Sequence, residues 1–197
     1  MSGYAPEAVE GFERSQVLFE QLVAGLAAVE ADEMSHTQLE ERIGGEGWEL
    51  MRRLLQDQLD LRAVRERPQQ PVVDAEQVAH RRVEQGHSRG LMTVFGPVTV
   101  TRMAYRALEA RNLYPADGLL NLPAGLHSHG LRRLAALEAV RGSFEAAGAA
   151  VERETGVRVG KRQLEELAQA AAVDVEAFYA ARPAACTGSA AGDAVRR

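Results

Sequence analysis

The chain has 197 residues, a net charge of −5, 46% hydrophobic residues, 5% aromatic residues and one cysteine, Cys186. The apolar content suffices for one ordinary domain or two small ones, and few aromatics beside abundant alanine and leucine favour helices packed through small aliphatic side chains. A single cysteine excludes an internal disulfide and a cysteine-built zinc site, and no run of about eighteen apolar residues offers a membrane span.

Met1–Glu10 lacks the basic start and apolar stretch of a secretory signal, so a soluble cytoplasmic protein is expected. The charge is unevenly spread. Residues 1–50 carry two basic and eleven acidic side chains, residues 51–106 ten and six, and residues 128–163 seven and four. Screening confines electrostatics to roughly 10 Å, so these local balances, not the net charge, decide whether phosphates can be approached. DNA binding is compatible with them.

From about Ala8 to Ala31, Val9, Phe12, Phe19, Leu22, Leu26 and Val29 recur as one helical stripe. Ser35 and Gln38 form a capping box that opens a second helix with Leu39, Ile43, Leu50, Leu54 and Leu61 on one face. Gly44-Gly45-Glu46-Gly47 predicts a break or kink in it, and Pro68 and Pro71 end it. Arg52, Arg53, Arg62, Arg65 and Arg67 alternate with Asp57, Asp60 and Glu66, the pattern of a solvated, salt-bridged helix face. Two such amphipathic helices read as a hairpin over residues 1–67 that self-associates, giving a homo-oligomer.

Val72–Arg89 is polar and weakly patterned, and reads as helix or loop. Leu91–Phe95 and Val98–Tyr105 are rich in β-branched and aromatic residues, with Gly96-Pro97 between them as the expected two-residue turn. Arg102-Met103 breaks the alternation, which predicts a bulge or the strand's exit from the sheet. Pro115-Ala116-Asp117-Gly118 and Asn121-Leu122-Pro123 are turn signals.

Ser128 caps a helix running to Arg141, with Leu131, Leu134, Ala135 and Leu137 inward and Gly142 as its stop. Ser143 caps a second, ending at Gly156, and a third begins near Lys161 with Leu164, Leu167, Ala168, Ala171, Val175, Phe178 and Tyr179 in helical register. From Pro183 onward the residues are small and unpatterned, so 183–197 is expected to be a disordered tail.

The last three helices carry the functional signal. Thr155-Gly156 followed by Lys161-Arg162-Gln163, with Val157 or Val159 as an apolar anchor, has the layout of a helix-turn-helix, although the turn is longer than usual. Arg158, Lys161 and Arg162 suit phosphates or guanine edges, and Gln163 suits adenine. An ordinary helical bundle with solvated cations remains the competing reading. His127 with His129, and His80 with His87, lack a clustered carboxylate or cysteine, so no metal or other cofactor is expected. Leu91–Tyr105, the confident strand region, holds no acid, so the carboxylate set of polynucleotidyl transfer is missing and catalysis is not expected.

Several phrases together resemble the N-terminal half of the Kra-type insertion-sequence transposases. They include Leu50-Met51-Arg52-Arg53-Leu54-Leu55-Gln56, Phe95-Gly96-Pro97-Val98, Thr101-Arg102-Met103-Ala104-Tyr105-Arg106, Ser128-His129-Gly130-Leu131-Arg132 and Gly142-Ser143-Phe144, and continue through Thr155-Gly156 and Lys161-Arg162-Gln163 to Phe178-Tyr179. The likeness spans about residues 15–182 in order. It implies a part in DNA transposition by an acidic-triad enzyme, binding the element's terminal inverted repeats. In that family an RNase-H-like domain opening on an Asp-Gly-Lys-Gly phrase follows, which this sequence does not reach. A truncated or frameshifted transposase, or an independent N-terminal protein, is the expectation. Some relatives carry a cysteine pair where Ala107-Leu108-Glu109-Ala110 stands here, so no zinc ribbon is expected.

The expected architecture is mainly α: a helical hairpin (1–67), a small α+β connector with a β-hairpin (72–120), and a helix-turn-helix-like three-helix unit (121–182). Besides the transposition reading, a stand-alone DNA-binding regulator and a structural helical interaction protein stay open.

Overall fold

A computed structural model describes residues 10–69 and 72–173, in which helices dominate and two small antiparallel sheets accompany them. The first helix, α1 (Glu13–Ala27), is followed by the single turn α2 (Val29–Asp32). The sequence predicts one helix here, but Ala28 is extended and interrupts it. Alanine is a strong helix former, so local propensity does not explain the break; Ala31 beyond it is buried.

The long helix α3 (His36–Arg65) starts at the expected capping box: the Ser35 hydroxyl accepts from Gln38 N–H, and the Gln38 side chain accepts from Ser35 N–H at 2.8 Å. It runs thirty residues without a break at Gly44-Gly45-Glu46-Gly47, contrary to the expected kink. The Arg42–Glu46 ion pair at 3.0 Å spans this stretch, and nothing lies near enough to Gly44, Gly45 or Gly47 to require a missing side chain. The glycines cost stability without ending the helix, because the flanking turns continue the hydrogen bonding.

α1 and α3 are tied at a buried polar point. The backbone N–H and hydroxyl of Ser15 both donate to Asp57 Oδ2, at 3.1 and 2.6 Å. Asp57 is therefore not part of a solvated face, and Glu66 also turns inward, accepting from Met103 N–H at 2.8 Å.

The segment read as helix or loop is β structure. β1 (Val72–Val73) pairs with β2 (Ala79–His80), and β3 (Arg82–Thr93) pairs with β4 (Gly96–Arg106) along its whole length. Both faces of the first half of β3 are partly exposed, so its polar composition hides its period. Thr93 pairs with Gly96, so the turn residues are Val94-Phe95, two places before the expected Gly96-Pro97. The Thr93 hydroxyl donates to Gly96 O and accepts from Phe95 N–H, which closes this turn. Gly96 takes φ +112°, and Pro97 occupies a pair whose backbone points away from β3, where a missing N–H costs no ladder bond.

The bulge falls opposite the expected one: the register shifts between Glu84↔Ala104 and His87↔Arg102, so Gln85 and Gly86 (φ +79°) together face Met103. Arg102 and Met103 stay in the strand.

Two apolar clusters flank the β3–β4 ribbon. Leu91, Val98 and Val100 join Leu59 of α3, with Leu55, Leu120 and Leu122 around them. Met92 and Val94 instead pack against a second cluster formed by α5 (His129–Ala139), α6 (Phe144–Thr155) and α7 (Lys161–Ala172). Leu131, Ala135, Ala147, Val151, Leu164 and Leu167 make its centre. Leu137, expected inward, is 49% exposed, since α5 turns only its Leu131–Ala135 stripe to the bundle. Between the clusters, the expected turn at Pro115 is a short helix, α4 (Pro115–Leu119). Among the described residues no helix is long and apolar enough to cross a membrane.

β2 is anchored by His80, which is 1% exposed. Its Nδ1 lies 3.1 Å from the Tyr105 carbonyl oxygen, and its Nε2 lies 3.0 Å from Asp74 Oδ2. The His80 hydrogen bond, followed by one from Val78 N–H, holds the Asp74 carboxyl below its ordinary value. A depressed carboxyl contributes stability that is complete above the unfolded pKa of about 3.9 and lost as pH falls through the folded one. Denaturation across a pH series should therefore show wild type more stable than Asp74→Asn at neutral pH, with the gap closing below about pH 4. An equal gap at both ends of the series would contradict this role.

Candidate nucleic-acid interface

The α6–α7 reversal is built from local chemistry. The Thr155 hydroxyl donates to Val151 O at 2.7 Å and accepts from Val157 N–H at 3.1 Å, and Gly156 leaves the helix at φ +66° with its N–H on Glu152 O. Beyond it, buried Val157 and Val159 alternate with exposed Gly156, Arg158 and Gly160. Both valines enter the three-helix core, so the five-residue turn is an extended, anchored segment. α6 approaches closely at Gly148, where a Cβ would stand 3.2 Å from Leu164 Cδ1.

Serines cap α5 and α6: Ser128 accepts from Leu131 N–H and Ser143 from Ala146 N–H. The N-cap of α7 is Gly160, which has no side chain to offer, and the Gln163 side chain reaches back only to Gly160 N–H, at 3.2 Å. The first amides of α7 thus have no side-chain cap, and unpaired amides at a positive helix end suit an anion.

All four sequence-predicted residues lie on this surface. Arg158 and Lys161 are exposed and make no ion pair among the described residues. Arg162 is exposed and reaches Glu166 one turn on, at 3.2 Å, a contact between two solvated side chains that holds it weakly. Gln163 is exposed but has committed its carbonyl oxygen to Gly160, leaving its amide NH2 outward. Leu164 and Leu167 face the core, which directs the first turn's polar side chains to solvent. Arg153, on the last turn of α6, is exposed beside them in sequence and was not singled out; only its place next to the turn distinguishes it.

Other basic residues have structural posts. Arg132 donates to His127 O, and Arg89 donates to the carbonyls of Pro123 and Gly125. Arg102, 7% exposed, lies in ion contact with Asp117 and 4.1 Å over the Tyr114 ring. Its Nε makes no well-aligned hydrogen bond to Asp117 Oδ1, so the contact is an ion pair and not a hydrogen bond. The sequence gives no sign that these three arginines are held by partners within the fold.

The histidines disperse. His127 is buried, and burial first and the Arg132 charge second push its pKa below the usual value. His129 faces Asn121 O and His87 faces Glu84. Among the described residues, no three His, Cys, Asp or Glu side chains gather to hold a metal.

Comparison of the chain with known families, characterised proteins and solved structures gives no match.

Two glycines test this local account, because they should respond oppositely to alanine. Gly156→Ala should destabilise by about 1–2 kcal/mol, the cost of a left-handed L-residue. Gly44→Ala, helical and free of close neighbours, should stabilise by up to about 1 kcal/mol. Denaturant titration reads both; equal shifts of one sign would contradict the assignments.

Proposed function

We propose that this chain recognises DNA for transposition, as the likeness to the Kra-type insertion-sequence transposases implies, and that its target is the element's terminal inverted repeats. The helix-turn-helix-like unit over residues 121–182 does the reading, although residues 174–182, with Phe178 and Tyr179, lie outside the described ones. The observation that carries this reading is the start of α7. An uncapped helix end, Arg158 and Lys161 without acid partners among the described residues, and Arg162 and the Gln163 amide all lie exposed on a turn anchored by Val157 and Val159 and on the helix start that it leads into.

In the proposed geometry the first turn of α7 enters the major groove, and Arg158 takes the backbone. Lys161 and the bare amides hold a phosphate. Arg162 exchanges its exposed partner Glu166 for a base edge, a small loss because the surface pair contributes little. Binding, rather than strand transfer, is the role proposed for these residues.

The helical pair supplies association. Ile43, Gly47, Met51 and Leu54 fall on one stripe of α3, where Ile43, Met51 and Leu54 are each at least 40% exposed; Phe19 and Val23 of α1 are also about half exposed. A second copy of this surface would cover it, and pairing two reading heads suits the two-fold spacing of repeat sites.

Binding to terminal-repeat and scrambled duplexes at two salt concentrations tests the first part. Arg162→Ala should cost about 1–3 kcal/mol on the repeat if it reads guanine, whereas Lys161→Ala should weaken all duplexes alike and flatten the salt slope by about one unit. Equal weak binding to both duplexes, unchanged by either substitution, would reject it. For the second part, sedimentation of the full chain should show a dimer that Leu54→Glu converts to a folded monomer. A wild-type monomer at tens of micromolar would reject association.

A further inference from the structure

A cavity of about 370 Å3 lies between the end of α3, the middle of β4 and α4. Its floor is aliphatic, made by Leu59, Val100 and Leu120. Arg62, Arg65 and Arg67 stand at its rim. Arg62 and Arg65 have no ion-pair partner among the described residues, and Arg67 donates only to Val64 O. Glu66, the one acid lining the cavity among the described residues, is committed to Met103 N–H.

A further polar group faces the same space. Antiparallel pairing turns the backbone of alternate β4 residues outward, away from β3. Pro97 O takes Arg52, Thr99 takes the Gln56 amide at both its N–H and C=O, Met103 N–H takes Glu66, and Tyr105 pairs with Leu113. Thr101, in register with these and lining the cavity, has no such cover among the described residues. The edge is closed on either side of it and open where the arginines gather.

We propose that this cavity binds an amphipathic acid: an aliphatic body on the leucine and valine floor, with a carboxylate or phosphate-monoester head held by Arg62 and Arg65 and by Thr101 N–H. The volume is that of a small-molecule site. Guanidinium forks match both head groups. Among the described residues no aromatic side chain lines the cavity, so a nucleobase has nothing there to stack on, and an aliphatic body fits better. The site is separate from α7 and does not rest on the DNA reading.

The test titrates the full chain with decanoate, decyl phosphate, decanol and butyrate below micelle-forming concentrations, by calorimetry and by the Thr101 amide resonance. Decanoate, decyl phosphate or both should bind saturably and shift the Thr101 amide, with decanol about tenfold weaker, as the loss of charge-assisted hydrogen bonds requires. Butyrate, lacking the body, should not saturate. R62Q/R65Q should reduce the affinity for the acids to that for decanol, and Ala63→Leu should block all of them by filling the cavity. Which acid binds more tightly identifies the head group. The proposal is overturned if decanol binds as well as the acids, if R62Q/R65Q leaves acid binding unchanged in a folded protein, or if no acid saturates at millimolar concentration.

Discussion

A two-stranded antiparallel ribbon has two open edges and two open faces, and cannot hold together in water without cover for them. The β3–β4 ribbon sets this requirement, and the surrounding elements are arranged to meet it. The Gln56 amide stands in for a missing strand at Thr99, donating to its carbonyl at 2.9 Å and accepting from its N–H at 2.8 Å. Glu66 covers the Met103 N–H alone, accepting from it at 2.8 Å further along β4. On the opposite edge Met92 exchanges bonds with Leu126 and Ser128, each 2.8 Å, so the approach to α5 is itself part of the ribbon's cover. α3, with Glu66 after it, thus covers much of one edge and one face, and the three-helix unit packs at the turn end. Trp48 against Phe95, at 5.5 Å between ring centres, adds a contact where the turn meets α3.

Charge reinforces the frame next to the bulge. Asp117 of α4 lies between Arg102, its close partner, and Arg89, 3.5 Å away, while Arg89 also holds the carbonyls of Pro123 and Gly125. A partly buried set of this kind adds little net stability, but losing one partner strands the other. Its effect is positional: the segment leading to α5 is held against β3 and β4, and α5 carries α6 and α7 with it. The orientation of the proposed reading turn is therefore traceable to residues far from it in sequence.

Where chemistry is local, it was readable. Ser35 with Gln38, Ser128, Ser143 and Gly156 each declare a helix end by one side chain or one φ preference, and each stands where expected. The exposure of Arg158, Lys161, Arg162 and Gln163 around the start of α7 was readable for the same reason. What was hidden depends on partners distant in sequence. Arg82–Arg89 has no apolar period because its pairing with β4 leaves both faces half exposed, and Asp57 and Glu66 look solvated until Ser15 and Met103 are brought to them. Glycine and proline at 96–97 suggested a turn, but Thr93 closes the chain two residues earlier. The three glycines of α3 suggested a break, but the turns on either side continue the helix through them.

Helix-borne side chains thus complete a ribbon that could not stand alone, and the ribbon in turn fixes where the helices sit. Native-state hydrogen exchange at the amides of Thr99 and Met103 tests that claim most directly, because both point away from β3 and are bonded only by side chains from α3 and the residue after it. The account predicts that they exchange as slowly as the ladder amides of β4, and that Gln56→Ala and Glu66→Ala release them together with the ladder. Fast exchange at Thr99 and Met103 beside a protected ladder in the wild-type protein would contradict it.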